Sequence, residues 1–239
     1  MSATLKTADF LGGKVKLIRQ AGVDLPSGDA VFVAAAVPAK PGQSLLDVGM
    51  GTGVVALSVA ARVPAISLTG IEIDPVLCDL AVRNAELNGR ALQACNRDVS
   101  GLRMSETFDH VVSNPPFFTE SFPSPQSRRA LARTQIIPID IWLSFCTKRV
   151  APKGTLSFVH TTAMLPESLR LLREGRMGKI QILPIFTKPG QPASRVLITA
   201  VKGSKTPLKL LEPLTVHTPT GGFTHAADQI LRGKATLCD

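Results

Sequence analysis

The 239-residue chain carries 27 lysines and arginines against 18 aspartates and glutamates, a formal charge of +9. That length suits one large domain, or one domain with small additions, whose core needs no staples, and the basic balance favours a polyanionic partner. The start, Met1-Ser2-Ala3-Thr4-Leu5-Lys6, has no signal-peptide core, no apolar run is long enough to span a membrane, and the four scattered cysteines read as reduced core thiols of a cytoplasmic protein.

Residues 1–43 read as an N-terminal addition with a β-like Lys14–Ile18 and an apolar stretch Ala30–Val37. From Ser44 the chain alternates strand-like and helical runs. Ser44–Val48 is a strand, and Thr52 is placed to cap a helix over Val54–Val63. Ile66–Ile73 is the next strand. Pro75 suits a first helical turn, and Val76–Asn88 follows as a helix stopped by Gly89. Leu92–Cys95 and Phe108–Ser113 are further strands, and 119–138 is a long polar loop of the kind a compact domain keeps for function. Ile139–Val150 is a helix, Thr155–His160 a strand and Leu165–Gly175 a helix. Ile180–Phe186 and Arg195–Val201 read as a closing pair of strands, and 203–239 as a C-terminal extension packed on the 44–202 core. Strands alternating with helices predict an α/β fold with a mostly parallel sheet covered on both faces.

The first strand ends in Asp47-Val48-Gly49-Met50-Gly51-Thr52-Gly53. Three alternate glycines remove Cβ atoms where backbone approaches a ligand. Glu72 ends the next strand, where a carboxylate accepts both ribose hydroxyls of an adenosine, and Asp98 follows the third strand near the adenine position. This geometry serves nucleoside-containing cofactors in general. The spacing then discriminates. Dinucleotide sites use Gly-x-Gly-x-x-Gly and a pyrophosphate. Here an aspartate precedes alternating glycines, which disfavours phosphate and favours a ligand bearing ammonium and sulfonium charge.

Asn114-Pro115-Pro116-Phe117 follows the apolar strand end Val111-Val112-Ser113. Successive prolines fix φ and supply no N–H donors. The segment offers rigid carbonyl acceptors beside an amide and an aromatic face. That set suits a planar group with an N–H₂, whose hydrogens go to the Asn114 oxygen and the Pro115 carbonyl while its ring stacks on Phe117. Neither the cysteines nor His110, His160, His217 and His225 have ligand spacing, so no metal is expected; His110 and His160 adjoin strands and read as structural.

Asp47 to Gly53, Glu72-Ile73-Asp74, Asp98 and Asn114 to Phe117 together resemble class I S-adenosylmethionine-dependent methyltransferases, in the branch that methylates planar amino or amide nitrogens. The longer chain is similar to the bacterial tRNA (adenine-N6) methyltransferase family. Gly28-Asp29-Ala30-Val31, the basic run Arg128-Arg129-Ala130-Leu131-Ala132-Arg133 and Pro189-Gly190-Gln191-Pro192-Ala193 carry that likeness. Phe117 departs from the commoner tyrosine, Met50 and Thr52 are variants, and the chain has no tyrosine.

The resemblance implies a Rossmann-like, mostly parallel seven-stranded sheet with an antiparallel closing strand. It implies methyl transfer to an exocyclic nucleobase nitrogen, adenine N6 of tRNA first, with guanine N2 of ribosomal RNA or a protein glutamine amide as alternatives. Asn114, Pro115, Pro116 and Phe117 are the implied catalytic set. Asp29, Asp47, Gly49, Met50, Gly51, Gly53, Glu72, Ile73, Asp98, Val99 and Asn114 are the implied contacts to S-adenosylmethionine. Asp29 is open between a contact at the methionine end and an N-cap of the Ala30–Val37 helix. Arg128, Arg129 and Arg133 are candidate RNA contacts, against a solvated helix face. Lys14, Lys16, Arg19, Lys188, Arg195, Lys202, Lys205 and Lys209 add a wider basic surface. A monomer or homodimer is expected, with an RNA partner and no membrane.

Overall fold

The structure is a computed structural model that describes residues 6–115 and 137–238. Its elements run β1 (Thr7–Phe10), β2 (Val15–Ile18), α1 (Gly28–Ala35), β3 (Ser44–Val48), α2 (Val54–Arg62), β4 (Ser67–Glu72), α3 (Pro75–Leu87), β5 (Leu92–Asn96) and β6 (Phe108–Ser113). They continue as α4 (Ile139–Arg149), β7 (Val150–Thr161), α5 (Leu165–Glu174), β8 (Met177–Phe186), β9 (Arg195–Lys202), β10 (Lys209–Leu210), β11 (Leu214–Thr215) and α6 (His225–Leu231).

Strand side chains alternate between faces, so neighbours in sequence enter opposite layers. Leu45, Val112, Val159 and Leu197 join one core with α1 and α2. Leu46, Val111, Phe158 and Ile198 join the other with Leu143 and Cys146 of α4 and Leu171 and Leu172 of α5. Burial on both sides explains why these strands read as continuous apolar runs.

The main sheet is ordered β10-β8-β9-β7-β6-β3-β4-β5, with β11 also on β8. β7-β6-β3-β4-β5 pair in parallel, and β9 is antiparallel to both β7 and β8. This is the expected Rossmann-like α/β sheet with its reversed strand, but it has nine strands among the described residues where seven were expected, because the two-residue β10 and β11 add to β8.

Two differences from the sequence reading have local causes. β7 starts at Val150, five residues early, because the register shift between Phe108 and His110 accommodates Pro152-Lys153-Gly154. These residues read as breakers only in isolation. Likewise, β10 and β11 prolong the sheet beyond β8, and α6 packs on α1, although residues 203–239 show little periodicity. Two-residue strands carry no detectable period.

The β1–β2 hairpin lies outside the main sheet and is held by amides on α3. Asn84 Oδ1 accepts from the Ile18 N–H at 2.8 Å, and its Nδ2 donates to the Thr52 carbonyl at 3.0 Å. Asn88 pairs with Lys16 through both its oxygen (2.9 Å) and its nitrogen (2.7 Å). Asn84 is fully buried and ties the hairpin to the glycine loop. Asn84→Ala strands an N–H and a carbonyl, a loss of roughly 2–4 kcal/mol. For a chain of this size that lowers the midpoint of thermal unfolding by about 5–10 °C. A variant melting within about 2 °C of the parent would contradict this role.

Candidate active site

Four adjacent parallel strands deliver the predicted residues to one edge. Val48 of β3 is level with Ile71 of β4 and with Ser113 of β6, and Glu72 is level with Asn96 of β5. Gly49 and Asn114 therefore leave the sheet side by side, with Glu72 and then Asp98 on the other flank. β3 is where the order reverses, since its successor β4 lies on one side and β6 on the other. Crevices at such switch points, outside the carboxyl ends of the strands, are where open α/β sheets bind ligands.

The loop after β3 is left-handed at all three glycines, with φ of +71° at Gly49, +55° at Gly51 and +81° at Gly53. Side chains rarely tolerate those angles. A Cβ at Gly49 would also stand 2.8 Å from the Trp142 ring. Gly53, not Thr52, takes the N-cap position of α2, whose first residue is Val54. The left-handed residue sets the entry angle of the helix, while the Thr52 hydroxyl is buried with no partner among the described residues. The Met50 side chain packs on Gly70 and joins Cys78 and Ala81, so only its backbone is available to a ligand.

Two carboxylates brace the loop. Asp47 is 1% exposed; its Oδ2 accepts from the Ala56 N–H at 3.2 Å, and its Oδ1 is buried without a partner among the described residues. Burial pushes its carboxyl up to about 7, with Glu72 adding repulsion. Glu72 accepts from the Gly51 N–H at 2.8 Å and from the Asp74 N–H at 3.0 Å. Burial raises its carboxyl while those backbone bonds oppose the rise. Ile73 beside it is an exposed apolar side chain, Val99 is buried, and Asp98 accepts from the Ser100 N–H at 2.8 Å.

On the other flank, Asn114 Oδ1 is buried and has no hydrogen-bond partner among the described residues. Pro115 follows it. Pro116, Phe117, Arg128, Arg129 and Arg133 lie outside the described residues.

Asp29 is not the N-cap of α1. Ser27 holds that position, and Asp29 sits one residue inside the helix, buried and ion-paired to Arg195 Nη1. Burial pushes its carboxyl up and Arg195 pulls it back. Arg195 opposes Thr161 at the carboxyl end of β7, so the pair borders the same edge as Asn114. Its pairing removes Arg195 from the free basic surface. The ammoniums of Lys202 and Lys14 are engaged too, the former on the Thr147 and Gly175 carbonyls and the latter on that of Gly233.

His110 is structural, as expected. It lies near the opposite end of β6, 2.8 Å from both Thr155 Oγ1 and Gln43 Oε1, and burial lowers it to about 4. No cluster of metal-ligating side chains exists among the described residues.

Sequence reasoning missed Ser113 and Trp142. Ser113 Oγ donates to the Val48 carbonyl at 2.8 Å and accepts from Trp142 Nε1 at 3.0 Å. A solitary tryptophan one turn into the helix after the polar loop was the available signal.

Known proteins share this arrangement. Residues 20–134 match the family model for the methyltransferase small domain. A tRNA1(Val) (adenine(37)-N6)-methyltransferase of Bacteroides fragilis is 30% identical over 197 residues, covering 79% of this chain and 83% of the relative. Its namesake in Vibrio vulnificus is 28% identical over 229 residues, covering 95% and 94%.

The chain belongs to this methyltransferase family.

The methyltransferase is also similar to solved structures. A predicted O-methyltransferase from Agrobacterium tumefaciens superposes with a TM-score of 0.72 at 26% identity, over 88% of this chain and 99% of the other. A 16S rRNA N2 G1207 methyltransferase from Thermus thermophilus, in complex with AdoMet and guanosine, shares the fold with a TM-score of 0.59 at 22% identity, over 83% and 50%. The cofactor is S-adenosylmethionine. The chain's own residues fit it: a glycine cradle without Cβ atoms, carboxylates instead of phosphate-binding cations, and an orphan Asp47 oxygen beneath the loop.

Proposed function

We propose that the methyltransferase modifies the exocyclic N6 amino group of an adenine in tRNA. The observation that carries this reading is the buried, unpartnered Asn114 Oδ1 one strand away from the glycine loop. A buried acceptor without a donor is costly unless a ligand supplies the hydrogen. An aromatic amine supplies two, one for Asn114 Oδ1 and one for the Pro115 carbonyl.

S-adenosylmethionine supplies an electrophilic methyl group on a sulfonium. The amine is a weak nucleophile because its lone pair is delocalised into the ring. Asn114 and the Pro115 carbonyl draw its hydrogens out of the ring plane and so localise that pair. The protein contributes positioning and electrostatics, and no side chain acts as a nucleophile. Phe117 stacks on the base, which must be splayed from its neighbours to enter. The three flanking carboxylates divide the donor contacts: Glu72 at the ribose, Asp98 at the adenine amine and Asp47 beneath the positively charged methionine end. Gly49, Gly51, Gly53 and the Met50 backbone bring the main chain close, and Ile73 and Val99 give apolar contact. Asp29, oriented by Arg195, borders the methionine end.

The RNA-facing contacts are Arg128, Arg129 and Arg133. Among the described residues, a groove of about 680 Å³ beside Val99 offers a second basic surface, with Arg103, Lys148 and Arg149 against one carboxylate, Asp140. No described helix is long and apolar enough to cross a membrane.

The test is labelled methyl transfer to total tRNA, ribosomal RNA and a release-factor peptide, followed by nucleoside mass analysis. N6-methyladenosine in tRNA is the expected product. Label in guanine or in protein overturns the reading in favour of the ribosomal or glutamine alternative.

A further inference from the structure

We infer that Ser113 and Trp142 are positioning residues that lock the methyl-donor loop and the amine-acceptor turn into one geometry. The inference rests on the methyl-transfer reading of Asn114. Each strand that frames the reaction ends in a residue of this contact. Val48 immediately precedes Gly49, and Ser113 immediately precedes Asn114. The Ser113 hydroxyl is fully buried, donates to the Val48 carbonyl at 2.8 Å and accepts from the Trp142 indole at 3.0 Å. Its proton direction is therefore fixed, because a hydroxyl has one donor and the indole N–H can only donate.

The same indole bears on the glycine loop by contact. A Cβ at Gly49 would sit 2.8 Å from Trp142 Cη2 and 2.9 Å from Cζ2, so the ring packs against the backbone there. Trp142 is anchored in the first turn of α4 by its N–H to the Pro138 carbonyl at 3.1 Å. One side chain thus touches the donor loop with its ring and the residue before Asn114 with its nitrogen. A shift of the loop moves the ring, and through Ser113 it moves the root of Asn114. Methyl transfer depends steeply on the relative placement of donor and acceptor, so a displacement on the scale of a lost hydrogen bond costs rate more than affinity.

Trp142 also makes the inference directly observable. The chain contains one tryptophan and no tyrosine, so its intrinsic emission reports this ring alone. Titrating the full-length protein with S-adenosylmethionine is expected to change that emission, with the same dissociation constant as calorimetry. An unchanged emission on saturation, verified by calorimetry, overturns the inference even if no nucleic acid is methylated.

The second measurement uses the wild type and three variants on the substrate that wild type methylates. Trp142→Phe keeps a ring against Gly49 and removes the N–H. Ser113→Ala removes the relay. Each is expected to lower kcat about tenfold, the equivalent of one modest interaction, while KM for S-adenosylmethionine changes by less than about threefold. The double variant is expected to be no slower than the worse single one, because both act through one contact. Folding is monitored by thermal melting, and a wild-type kcat in any folded single variant overturns the inference. Multiplying effects in the double variant do so as well. If the wild type methylates nothing, the proposed function fails by itself, and the emission titration still decides the positioning pair.

Discussion

Asn114→Ala is expected to slow methyl transfer by roughly 10²–10³-fold, the range seen when one preorganised polar contact to a reacting centre is removed. Cofactor affinity should stay within about threefold of the parent, since the glycine loop and its carboxylates are carried by β3 and β4 and not by β6. The division follows from the sheet. Asn114 leaves β6, whereas Asp47, Gly49 and Glu72 belong to β3, its loop and β4. Alanine also relieves a buried unpartnered oxygen, so the free protein should not lose stability. Single-turnover transfer with labelled donor measures the rate. Equal losses of rate and cofactor affinity would show that the two halves of the site are not separate.

Asp47→Asn is expected to stabilise the free protein at pH 8 more than at pH 5, while weakening cofactor binding. The Asp47 carboxyl lies near 7 in the folded chain and near its ordinary 3.8 when unfolded, because burial outweighs its bond from Ala56. Between those values the folded state holds the extra proton. Its contribution to stability is therefore fully present below about 3.8 and is lost as pH rises through about 7. The span corresponds to roughly 4 kcal/mol, an upper figure for a site that relaxes on ionisation. Histidine 110 adds an opposite limb: its value is lowered to about 4, so its contribution is lost as pH falls through that range. The wild-type curve mixes both, and the difference between wild type and Asp47→Asn isolates the aspartate. Denaturant unfolding at pH 5 and pH 8 measures it. A difference independent of pH would mean that Asp47 is ionised throughout. A positively charged ligand favours the ionised form, so wild-type affinity for S-adenosylmethionine should rise from pH 6 to pH 8 and that of Asp47→Asn should not.

The motif residues were legible because each answers a local demand. Gly49, Gly51 and Gly53 sit at positive φ, a property of the loop itself, and β3 and β6 carry the short apolar runs Leu45-Leu46 and Val111-Val112. Pro75 and Gly89 punctuate α3 by rules that act over a few residues, and the Asp74 side chain caps it. The β7 start and the short strands β10 and β11 were not legible. Their pairing depends on partners elsewhere in the sheet, and their own residues carry turn signals or no period.

The sequence by itself determined a glycine loop flanked by carboxylates, an Asn-Pro-Pro-Phe motif after an apolar strand, and an order of strands and helices that admits few topologies. Only the tertiary structure decided which of those groups are neighbours. It seated Asp29 against Arg195, 166 positions away, where the sequence left a cap and a ligand contact open. It used Asn84 to bind a hairpin 66 residues earlier, and Trp142 to join Gly49 and Ser113. Backbone preferences act within a turn or two and leave their mark in the spacing of residues. Contacts between distant segments are set by sheet order and packing, and a lone arginine, asparagine or tryptophan carries no local sign of the partner it will meet.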